Sequence, residues 1–304
     1  SEAALVTPEV EKAIEDCIPL GPLHNPANLM GIRACMKLMK GTPQVAVFDT
    51  AFGQSLAPKA YLYAVPYSWY EEYHVRRYGF HGTSHQYVNG RAVELMAKAG
   101  YDRANVRIVT CHLGNGCSVS ATRGGKGIDT SMGLTPAEGL MMGTRSGDLD
   151  PAIIPYVMSC TGMTADEVMN VLNKKSGLLG ISGHSNDMRD IHSRMEAGDA
   201  RARLAFDMFC YRIVKYVGAY VAALNGADAL VFTGGIGEHD EDVREQVCAN
   251  LSYLGLHLDS ERNLSGSGER EISTPDSKVR VMVIPTNEEL VIARETAAIV
   301  GKLA

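Results

Sequence analysis

Val106-Arg107-Ile108-Val109-Thr110-Cys111 is a run rich in β-branched and apolar residues, and it continues directly into His112-Leu113-Gly114-Asn115-Gly116. A run of this kind, bounded by a glycine turn, predicts a buried strand. Because glycine has no Cβ, the loop after the strand lets a ligand approach backbone N–H groups, which suit a phosphate. The segment therefore predicts a strand that ends in a candidate phosphate loop.

Neighbouring segments are predicted to add further strands. Ser118–Thr122 and Lys126–Thr130 flank a Gly-Gly turn and are typical of a β-hairpin. Gln44–Phe48 is a shorter β-branched run that ends at Asp49. It predicts a buried strand that delivers a carboxylate at its carboxyl end.

The C-terminal part repeats the order of strand, glycine loop and helix. A long amphipathic helix is predicted over Ala202–Leu224, and a strand over Ala229–Phe232 leads into Thr233-Gly234-Gly235-Ile236-Gly237-Glu238. Val279–Ile284 predicts the last strand and Glu289–Leu303 the closing helix. This alternation predicts an α/β architecture with ligands bound at the carboxyl ends of strands.

Composition excludes several classes of protein. The 304 residues are 45% hydrophobic, enough for one large domain or two of ordinary size. A formal net charge of −6 gives no basic surface for nucleic acid. Charged residues interrupt the longest apolar stretch, so it falls short of the ~20 residues of a membrane span. The seven cysteines are scattered without CxxC spacing, which favours a reducing cytoplasm.

Each glycine loop is a weak signal when taken alone. Neither contains the Gly-Lys-Ser/Thr of a Walker A loop, and neither completes the GxGxxG pattern of dinucleotide-binding proteins. A tight turn that needs positive φ would explain either loop without any ligand. Two such loops, each following a strand, favour a nucleotide.

The segment Tyr78-Gly79-Phe80-His81-Gly82-Thr83-Ser84-His85 concentrates two histidines and two hydroxyls. His81 and His85 have the i, i+4 spacing of a metal pair, but no HExxH glutamate and no third ligand are evident. Local hydrogen bonds would account for His85 more readily than for His81. A phosphate-facing imidazole is therefore the hypothesis for His81.

Several polar loop residues can be interpreted either as ligand-binding or as purely structural. Arg145, in a glycine-bounded loop, suits a carboxylate or a phosphoryl group, but it could equally pair with Asp148 or Asp150 at the surface. Helix capping explains Asn287 and Asp187 without a ligand. The carboxylates of Asp49 and Glu288 are also candidates for magnesium, which takes one or two carboxylates together with waters and phosphate oxygens.

Taken together, these segments resemble the acetate kinase family in type and order over essentially the whole chain. They are Leu23-His24-Asn25-Pro26, Val47–Phe52, Gly79–His85, His112–Gly116, Met142–Arg145, Phe232–Glu238 and Pro285–Glu289. The resemblance implies the actin-like ATPase fold of acetate and sugar kinases, Hsp70 and actin, with two α/β domains around a nucleotide cleft. It assigns 1–52 and 289–304 to the remainder of the N-terminal domain, and 53–288 to a C-terminal nucleotide-binding and dimerisation domain.

The resemblance also implies a role for each site residue. It places Arg145 on the substrate carboxylate and the transferring phosphoryl group, His81 on the developing charge, Asp49 near the reaction centre, and Glu288 at magnesium. The remaining residues are a further active-site histidine (His24), a phosphate loop (Gly114, Asn115, Gly116), adenosine contacts (Asp187, Met188, Arg189, Gly235, Ile236, Gly237) and an apolar acyl pocket (Leu23, Phe80, Pro136).

The implied reaction is reversible, direct in-line phosphoryl transfer from ATP to acetate, giving ADP and acetyl phosphate with Mg²⁺ or Mn²⁺. A carboxylate is already ionised at neutral pH, so no general base is needed, and Arg145, His81 and the metal are expected as the cations that hold two anions together. The family also implies a cytoplasmic homodimer. A propionate kinase, and an inactive fragment that retains nucleotide and dimer contacts, are the alternatives.

The front of the sequence departs from the family pattern. The family's Asn-x-Gly-Ser-Ser-Ser phosphate loop and a following active-site arginine do not occur before His24. The first domain is therefore expected to be incomplete at its N-terminus, and the 304-residue chain alone to be weakly active or inactive.

Overall fold

Residues 2–18 and 25–303 are described by the structure, a computed structural model. The predicted site residues Leu23 and His24 lie outside the described residues. The strands, in chain order, are β1 (Ala4–Leu5), β2 (Val45–Ala46), β3 (Arg107–Leu113), β4 (Cys117–Arg123), β5 (Lys126–Thr130), β6 (Ala229–Thr233), β7 (Arg270–Glu271) and β8 (Arg280–Val283).

Strand β3, the first segment singled out in the sequence, lies inside a six-stranded mixed sheet of order β5-β4-β3-β6-β8-β7. It pairs antiparallel with β4 on one side and parallel with β6 on the other, and β6 pairs parallel with β8. His112 is in register with Thr233, so the two glycine loops leave the same edge of the sheet side by side. The predicted hairpin of β4 and β5 is confirmed.

Both faces of β3 are covered, which explains why its sequence is nearly continuously apolar instead of alternating. Val109 and Cys111 point to one side and belong to the larger core, whereas Ile108 points to the other and packs in a second, smaller core. This division follows from the two-residue period of side chains along a strand.

Helices cover the sheet and connect its strands. In chain order they are α1 (Pro8–Asp16), α2 (Asn25–Leu38), α3 (Pro58–Tyr61), α4 (Tyr67–Tyr73), α5 (Gly82–Lys98), α6 (Ile153–Thr161), α7 (Ala165–Lys174), α8 (Gly177–Ser182), α9 (Met188–Glu196), α10 (Ala200–Leu224), α11 (Gly234–His239), α12 (Glu241–Ala249), α13 (Ser260–Leu264) and α14 (Glu288–Val300). Short 3₁₀ turns occupy Ala51–Ser55 and Ser252–Leu254.

Helix α10 supplies the larger core with a continuous apolar stripe. It begins after Asp199, whose carboxylate accepts from two first-turn N–H groups, and ends at Asn225 in the left-handed conformation with φ 56°. Phe209 and Ile213, one turn apart on α10, are fully buried against the sheet. Helix α5 covers the opposite face, where Val88 and Met96 lie in the smaller core.

The expected buried strand over Gln44–Phe48 is the one element that differs clearly. Only Val45–Ala46 forms a strand, and it pairs antiparallel with β1 in a separate two-stranded sheet. Both of its residues are only partly buried. Asp49 then lies in a turn that leads towards α5.

The closing helix α14 contacts both β1 and α5. The division into a domain of 1–52 with 289–304 and a domain of 53–288 stays a prediction. Within the described ranges, no helix combines the length and the apolar character that crossing a membrane requires.

Candidate active site

The site is built around the first turn of α5, which Asp49 caps from a distant part of the chain. The Asp49 carboxylate accepts from the His81 backbone N–H at 2.7 Å and from the Thr83 N–H at 3.4 Å. The Asp49 carbonyl also accepts from Gly82 N–H at 2.9 Å. These bonds satisfy N–H groups that a helix start leaves unpaired. Asp49 therefore holds His81 in place through its backbone.

His81 itself has a backbone conformation that few residues other than glycine adopt, with φ 57°. The next residue must be glycine, because a Cβ on Gly82 would collide with the Asp49 carbonyl oxygen. Left-handed non-glycine residues concentrate at functional sites, where the surroundings hold the strain. The imidazole is aimed by this turn and stacks on His112, with ring centroids 4.1 Å apart.

Arg145 is carried by a loop tied to the start of α8. The N–H groups of Leu178 and Leu179 donate to the carbonyls of Met142 and Gly143 at 2.9 and 3.0 Å. The Arg145 guanidinium donates through Nη1 to the Pro136 carbonyl at 2.8 Å.

The alternative reading of Arg145 as a surface ion pair is wrong. Asp148 instead bonds Gly139 N–H and the Tyr216 hydroxyl, and Asp150 caps Ala152 N–H. Among the described residues no carboxylate pairs with Arg145. Burial lowers the pKa of its guanidinium from the ordinary value, yet arginine keeps its charge at neutral pH. A partly buried cation without an anion marks a binding site for one.

Arg145 and His81 converge over Gly116 in the first glycine loop. A Cβ built on Gly116 would lie 2.5 Å from Arg145 Nη2 and 3.1 Å from His81 Nε2. A side chain here would displace the Arg145 guanidinium and press on the His81 ring, so close approach and not a turn favours glycine. A donor from each of two distant segments faces the same small volume, as anion binding requires.

The two carboxylates expected near the metal are joined by one hydroxyl. Thr83 Oγ1 lies 3.3 Å from Asp49 Oδ1 and 3.0 Å from Glu288 Oε1. In the described part of the chain, no group of three or more His, Cys, Asp or Glu side chains converges as a metal cage. A single carboxylate beside an anion site fits magnesium, which keeps waters and phosphate oxygens as its other ligands.

The expected nucleotide loops line the carboxyl edge of the sheet. Asn115 is exposed, and its Oδ1 accepts from Asn186 Nδ2 at 2.9 Å, which connects the first loop to the start of α9. Gly234 has φ 78° and lies against the Leu113 backbone, bringing the second loop alongside the first. Gly235, Ile236 and Gly237 follow in α11. Gly114 closes the first loop by donating to the Gly116 carbonyl at 3.0 Å.

Two hydroxyls at this edge have no hydrogen-bond partner among residues 2–18 and 25–303. Thr233 Oγ1 and Thr286 Oγ1 are buried and unpaired, at the carboxyl ends of β6 and β8. Glu238 connects the two loops, because its Oε1 accepts from Gly234 N–H at 3.1 Å and Thr286 N–H at 3.3 Å. Buried polar groups without partners are rare and call for an explanation, and a bound polar ligand is one.

At the start of α9, Asp187 caps the helix and Arg189 is exposed. Asp187 caps the helix through Arg189 N–H, and its ion pair with the exposed Arg189 guanidinium lowers the pKa of Asp187 to about 2. The capping readings of Asp187 and Asn287 are confirmed. The side chain of Met188 is only 4% exposed and packs in the larger core, and its contact with adenosine stays a prediction.

The acyl pocket is described in part. Phe80 and Pro136 are both partly buried, and Phe80 packs against the larger core. Pro136 lies beside the guanidinium of Arg145 through its carbonyl. Phe80 precedes His81 in the chain and Pro136 contacts Arg145, so both residues belong to segments that carry site residues.

The histidines around α5 lie in surroundings that disfavour their charged forms. Burial lowers the pKa of His81 and of His85 to about 3, and it lowers the pKa of His112 well below its ordinary range. The lowered pKa disfavours the cationic form of His81 in the ligand-free protein, and the role of His81 as a cation stays a prediction. Loss of water is the main cause for His81, and its neighbours His85 and Arg145 lower the pKa further.

Sequence reasoning gave no role to His112, Ser118, Thr83 or Glu238. Ser118 Oγ lies 2.9 Å from His81 Nδ1, and His112 stacks on the same ring. The sequence did contain a signal for such residues, because polar side chains inside a strand that is buried on both faces need hydrogen-bond partners. Which partners they take depends on the packing of α5 against β3 and β4.

The fold is a mixed α/β sheet with glycine loops at its carboxyl edge. The site adds an arginine that no carboxylate of the described residues pairs with and a carboxylate compatible with magnesium. Together these features define a nucleotide-dependent phosphotransferase. The chain belongs to the acetokinase family, because that family model matches residues 1–294. The actin-like ATPase fold expected from the sequence is thereby confirmed.

Individual relatives agree with this assignment. The chain is 58% identical over 300 residues to an acetate kinase of Carboxydothermus hydrogenoformans, covering 99% of this chain and 74% of the relative. An acetate kinase of Thermotoga maritima is 56% identical over 305 residues, with 99% and 75% covered.

Solved structures of the family are also similar. A crystal structure of Porphyromonas gingivalis acetate kinase matches with a TM-score of 0.92 and 51% identity, covering 99% of this chain and 75% of that one. A propionate kinase from Francisella tularensis matches with a TM-score of 0.91 and 45% identity, covering 97% and 74%.

Proposed function

We propose that the protein transfers the γ-phosphoryl group of ATP to acetate, reversibly, giving acetyl phosphate and ADP. A carboxylate oxygen forms the new P–O bond as the bond between the γ-phosphorus and the bridging oxygen breaks, and ADP leaves on the opposite side. The observation that carries the proposal is the convergence of Arg145 Nη2 and His81 Nε2 over Gly116. Two donors facing one small volume suit a reaction that joins two anions.

In this proposal Arg145 contacts the acetate carboxylate and the transferring phosphoryl group. Its charge is not neutralised by any carboxylate within the described ranges, so its full attraction is available to the ligands. His81 is neutral and donates a hydrogen bond to an equatorial oxygen of the phosphoryl group. Asp49 holds the backbone of His81 and thereby sets the position of that donor.

Glu288 would hold Mg²⁺, or Mn²⁺, directly or through water. The metal, when bound, neutralises phosphate charge and orients the β- and γ-phosphates. The Thr83 hydroxyl donates its one proton to Glu288 at 3.0 Å, with Asp49 slightly farther away at 3.3 Å, and this keeps the Glu288 carboxylate turned towards the α5 turn that carries His81. Asn115 and the backbone of 114–116 and 234–237 would hold the nucleotide phosphates, and Asp187 and Arg189 the adenosine.

The acyl group would lie against Phe80 and Pro136. A pocket of this kind separates substrates that differ by one methylene by only ~1–3 kcal/mol. Similarity to both an acetate kinase and a propionate kinase structure makes propionate the second candidate. Acetate is the first choice because the more similar relatives are acetate kinases. The proposal also takes the protein to be a cytoplasmic homodimer with the two-domain division stated above.

The decisive variant is Arg145→Ala, assayed on the full-length protein by trapping acetyl phosphate as its hydroxamate, with acetate and with propionate. Loss of the cation that holds both anions should lower kcat about 10²–10³-fold. Arg103→Ala is the matched control, since Arg103 is exposed near the amino end of β3, away from the loops.

Unchanged turnover in Arg145→Ala, or equal loss in both variants, would contradict the proposal. A kcat/KM higher for propionate than for acetate would replace acetate as the substrate but leave the mechanism in place.

A further inference from the structure

A line of buried polar side chains leads from the interior of the smaller core to His81. Asn89 Nδ2 lies 3.4 Å from Ser120 Oγ, which lies 2.9 Å from His85 Nδ1. His85 Nε2 lies 2.8 Å from Ser118 Oγ, which lies 2.9 Å from His81 Nδ1. Every member except His81 is fully buried. Each hydroxyl has a single proton, so the donor at one contact determines the donor at the next.

The contacts of Asn89, at the inner end of the line, determine which atom donates at each hydrogen bond. Asn89 Nδ2 also lies 2.9 Å from the backbone carbonyl of His85, which can only accept. The amide nitrogen of Asn89 must therefore face His85 and Ser120. Its oxygen accepts from the hydroxyls of Thr110 and Thr122 at 3.0 and 2.9 Å. All four hydrogen-bonding positions of the amide group are used in this orientation.

The donor at each of the remaining hydrogen bonds then follows in turn. Ser120 accepts from Asn89 and gives its proton to His85 Nδ1. His85 is neutral, so its one ring proton is on Nε2 and is donated to Ser118 Oγ. Ser118 then gives its proton to His81 Nδ1. The ring proton of neutral His81 is left on Nε2, the atom that faces Arg145 over Gly116.

Other arrangements leave a buried hydroxyl proton without an acceptor. If His81 Nδ1 carried the proton, it would donate to Ser118, Ser118 would donate to His85 Nε2, and His85 Nδ1 would donate to Ser120. Ser120 would then accept from both His85 and Asn89, and its own proton would have no acceptor in the described part of the chain. If both His81 and His85 donated to Ser118, the proton of Ser118 would have none. Unsatisfied buried donors are disfavoured because they have lost water without gaining a partner.

We propose that Asn89, Ser120, His85 and Ser118 are positioning residues that form a proton-ordered relay and hold His81 in the tautomer with its proton on Nε2. The inference rests on the proposed function only for its consequence, that this proton is donated to the transferring phosphoryl group. His112 supports the arrangement by stacking on the His81 ring, and its own Nδ1 is occupied by Ser84 Oγ at 2.7 Å.

The tautomer can be measured without any activity assay. The full-length protein, labelled with ¹⁵N-histidine, is examined at neutral pH by two-bond ¹H–¹⁵N correlation NMR, which distinguishes protonated from bare ring nitrogens. The His81 signals are assigned as those missing from His81→Asn, because Asn tolerates positive φ. We expect His81 and His85 both to be protonated on Nε2 and bare on Nδ1. Protonated Nδ1 on either ring would overturn the relay.

Interrupting the relay supplies the second readout. Ser118→Ala should give His81 a mixture of tautomers and lower kcat about tenfold or more, with the KM for ATP changed less than about twofold. Ser131→Ala is the matched control, a fully buried serine whose hydroxyl bonds Val119 N–H outside the relay. It should leave the tautomer and kcat unchanged.

The outcomes separate the relay from the proposed function. A single Nε2–H tautomer retained in Ser118→Ala would overturn the relay, whatever the activity. A relay confirmed by NMR, combined with full activity in His81→Asn, would overturn the phosphoryl-donor role of His81 and leave the positioning network standing.

Discussion

At the scale of single residues, the site depends on the absence of a Cβ atom at glycine positions. Gly116 has ordinary φ, so its requirement comes from the space that Arg145 and His81 occupy and not from backbone strain. Gly82 is required for a similar reason beside the Asp49 carbonyl. The residue pattern of the two loops indicated glycine-rich turns, but close approach to side chains from other segments is the physical reason at these positions.

Gly116→Ala tests this point. Its methyl group would meet Arg145 Nη2 at 2.5 Å and His81 Nε2 at 3.1 Å, so both donors must move. We expect kcat to fall about 10²-fold, because a displacement of ~1 Å of positioned groups costs that much. The free energy of unfolding should change little, since φ is compatible with alanine.

Gly90→Ala is the control for Gly116→Ala. Gly90 lies in the middle of α5 with open space around its Cβ position. Activity should be unchanged, and urea unfolding should show a gain of about 0.5–1 kcal/mol from helix propensity. Equal activity of the two alanine variants would show that the convergence over Gly116 is unimportant.

At the scale of elements, the first turn of α5 connects a structural function to the chemistry. The Asp49 carboxylate satisfies N–H groups at this helix start and comes from 32 residues earlier in the chain. The acid that the sequence predicted near the reaction centre is therefore also the cap of α5. His81 is presented to the ligands only because the cap holds its strained backbone.

Asp49→Ala is predicted to lose both properties. Removing a helix cap costs ~1–2 kcal/mol in the free energy of unfolding, measured by urea titration. Because His81 then loses its backbone anchor, kcat should also fall, by about tenfold or more.

Thr164→Ala is the matched control for the cap. Thr164 forms a capping box with Glu167 at the exposed start of α7. The control should lose about 1 kcal/mol of stability and no activity. If Asp49→Ala loses stability alone, the cap has no influence on the chemistry.

At the scale of the whole molecule, three neutral histidines lie between α5 and the central strands. His85 is fully buried and His112 nearly so, and the pKa values of His81 and His85 are lowered to about 3. An unfolded chain would protonate these histidines near their ordinary value of about 6.5. Folding is therefore coupled to pH through the core of the active site.

The sign of this coupling gives a prediction. Between pH 6.5 and the lowered values, the unfolded state binds more protons than the folded one, so stability is lost as pH falls. Each buried histidine should contribute up to about 1.4 kcal/mol per pH unit. Urea unfolding at pH 7, 6 and 5 should show the decline beginning near pH 6.5.

Replacing one histidine at a time checks the source of the slope. His112→Asn should reduce the slope between pH 6 and pH 5, because one titrating group has been removed. His74→Asn is the control, since His74 is exposed and Asn also tolerates its φ of 56°. An identical slope in wild type and both variants would place the pH dependence elsewhere, for example in the carboxylates.

The sequence by itself determined the strands β3, β4, β5, β6 and β8, the helix α10 and the two glycine loops, because periodicity and turn chemistry are carried by neighbouring residues. It also brought His81, Arg145, Asp49 and Glu288 together as candidates through their residue types and order. The predicted strand before Asp49 was shorter and less buried because burial depends on which layers cover it, and these come from elsewhere in the chain.

Only the tertiary structure decided that Asp49 caps α5, that Arg145 has no anionic partner within the described residues, and that Met188 packs in the core. It alone decided that burial lowers the pKa values of the histidines and that Ser118 and His85 lie behind His81. These properties depend on contacts between segments far apart in the chain and on the loss of water around them. Neither of these is encoded in local spacing, and the protonation state of a buried group follows from both.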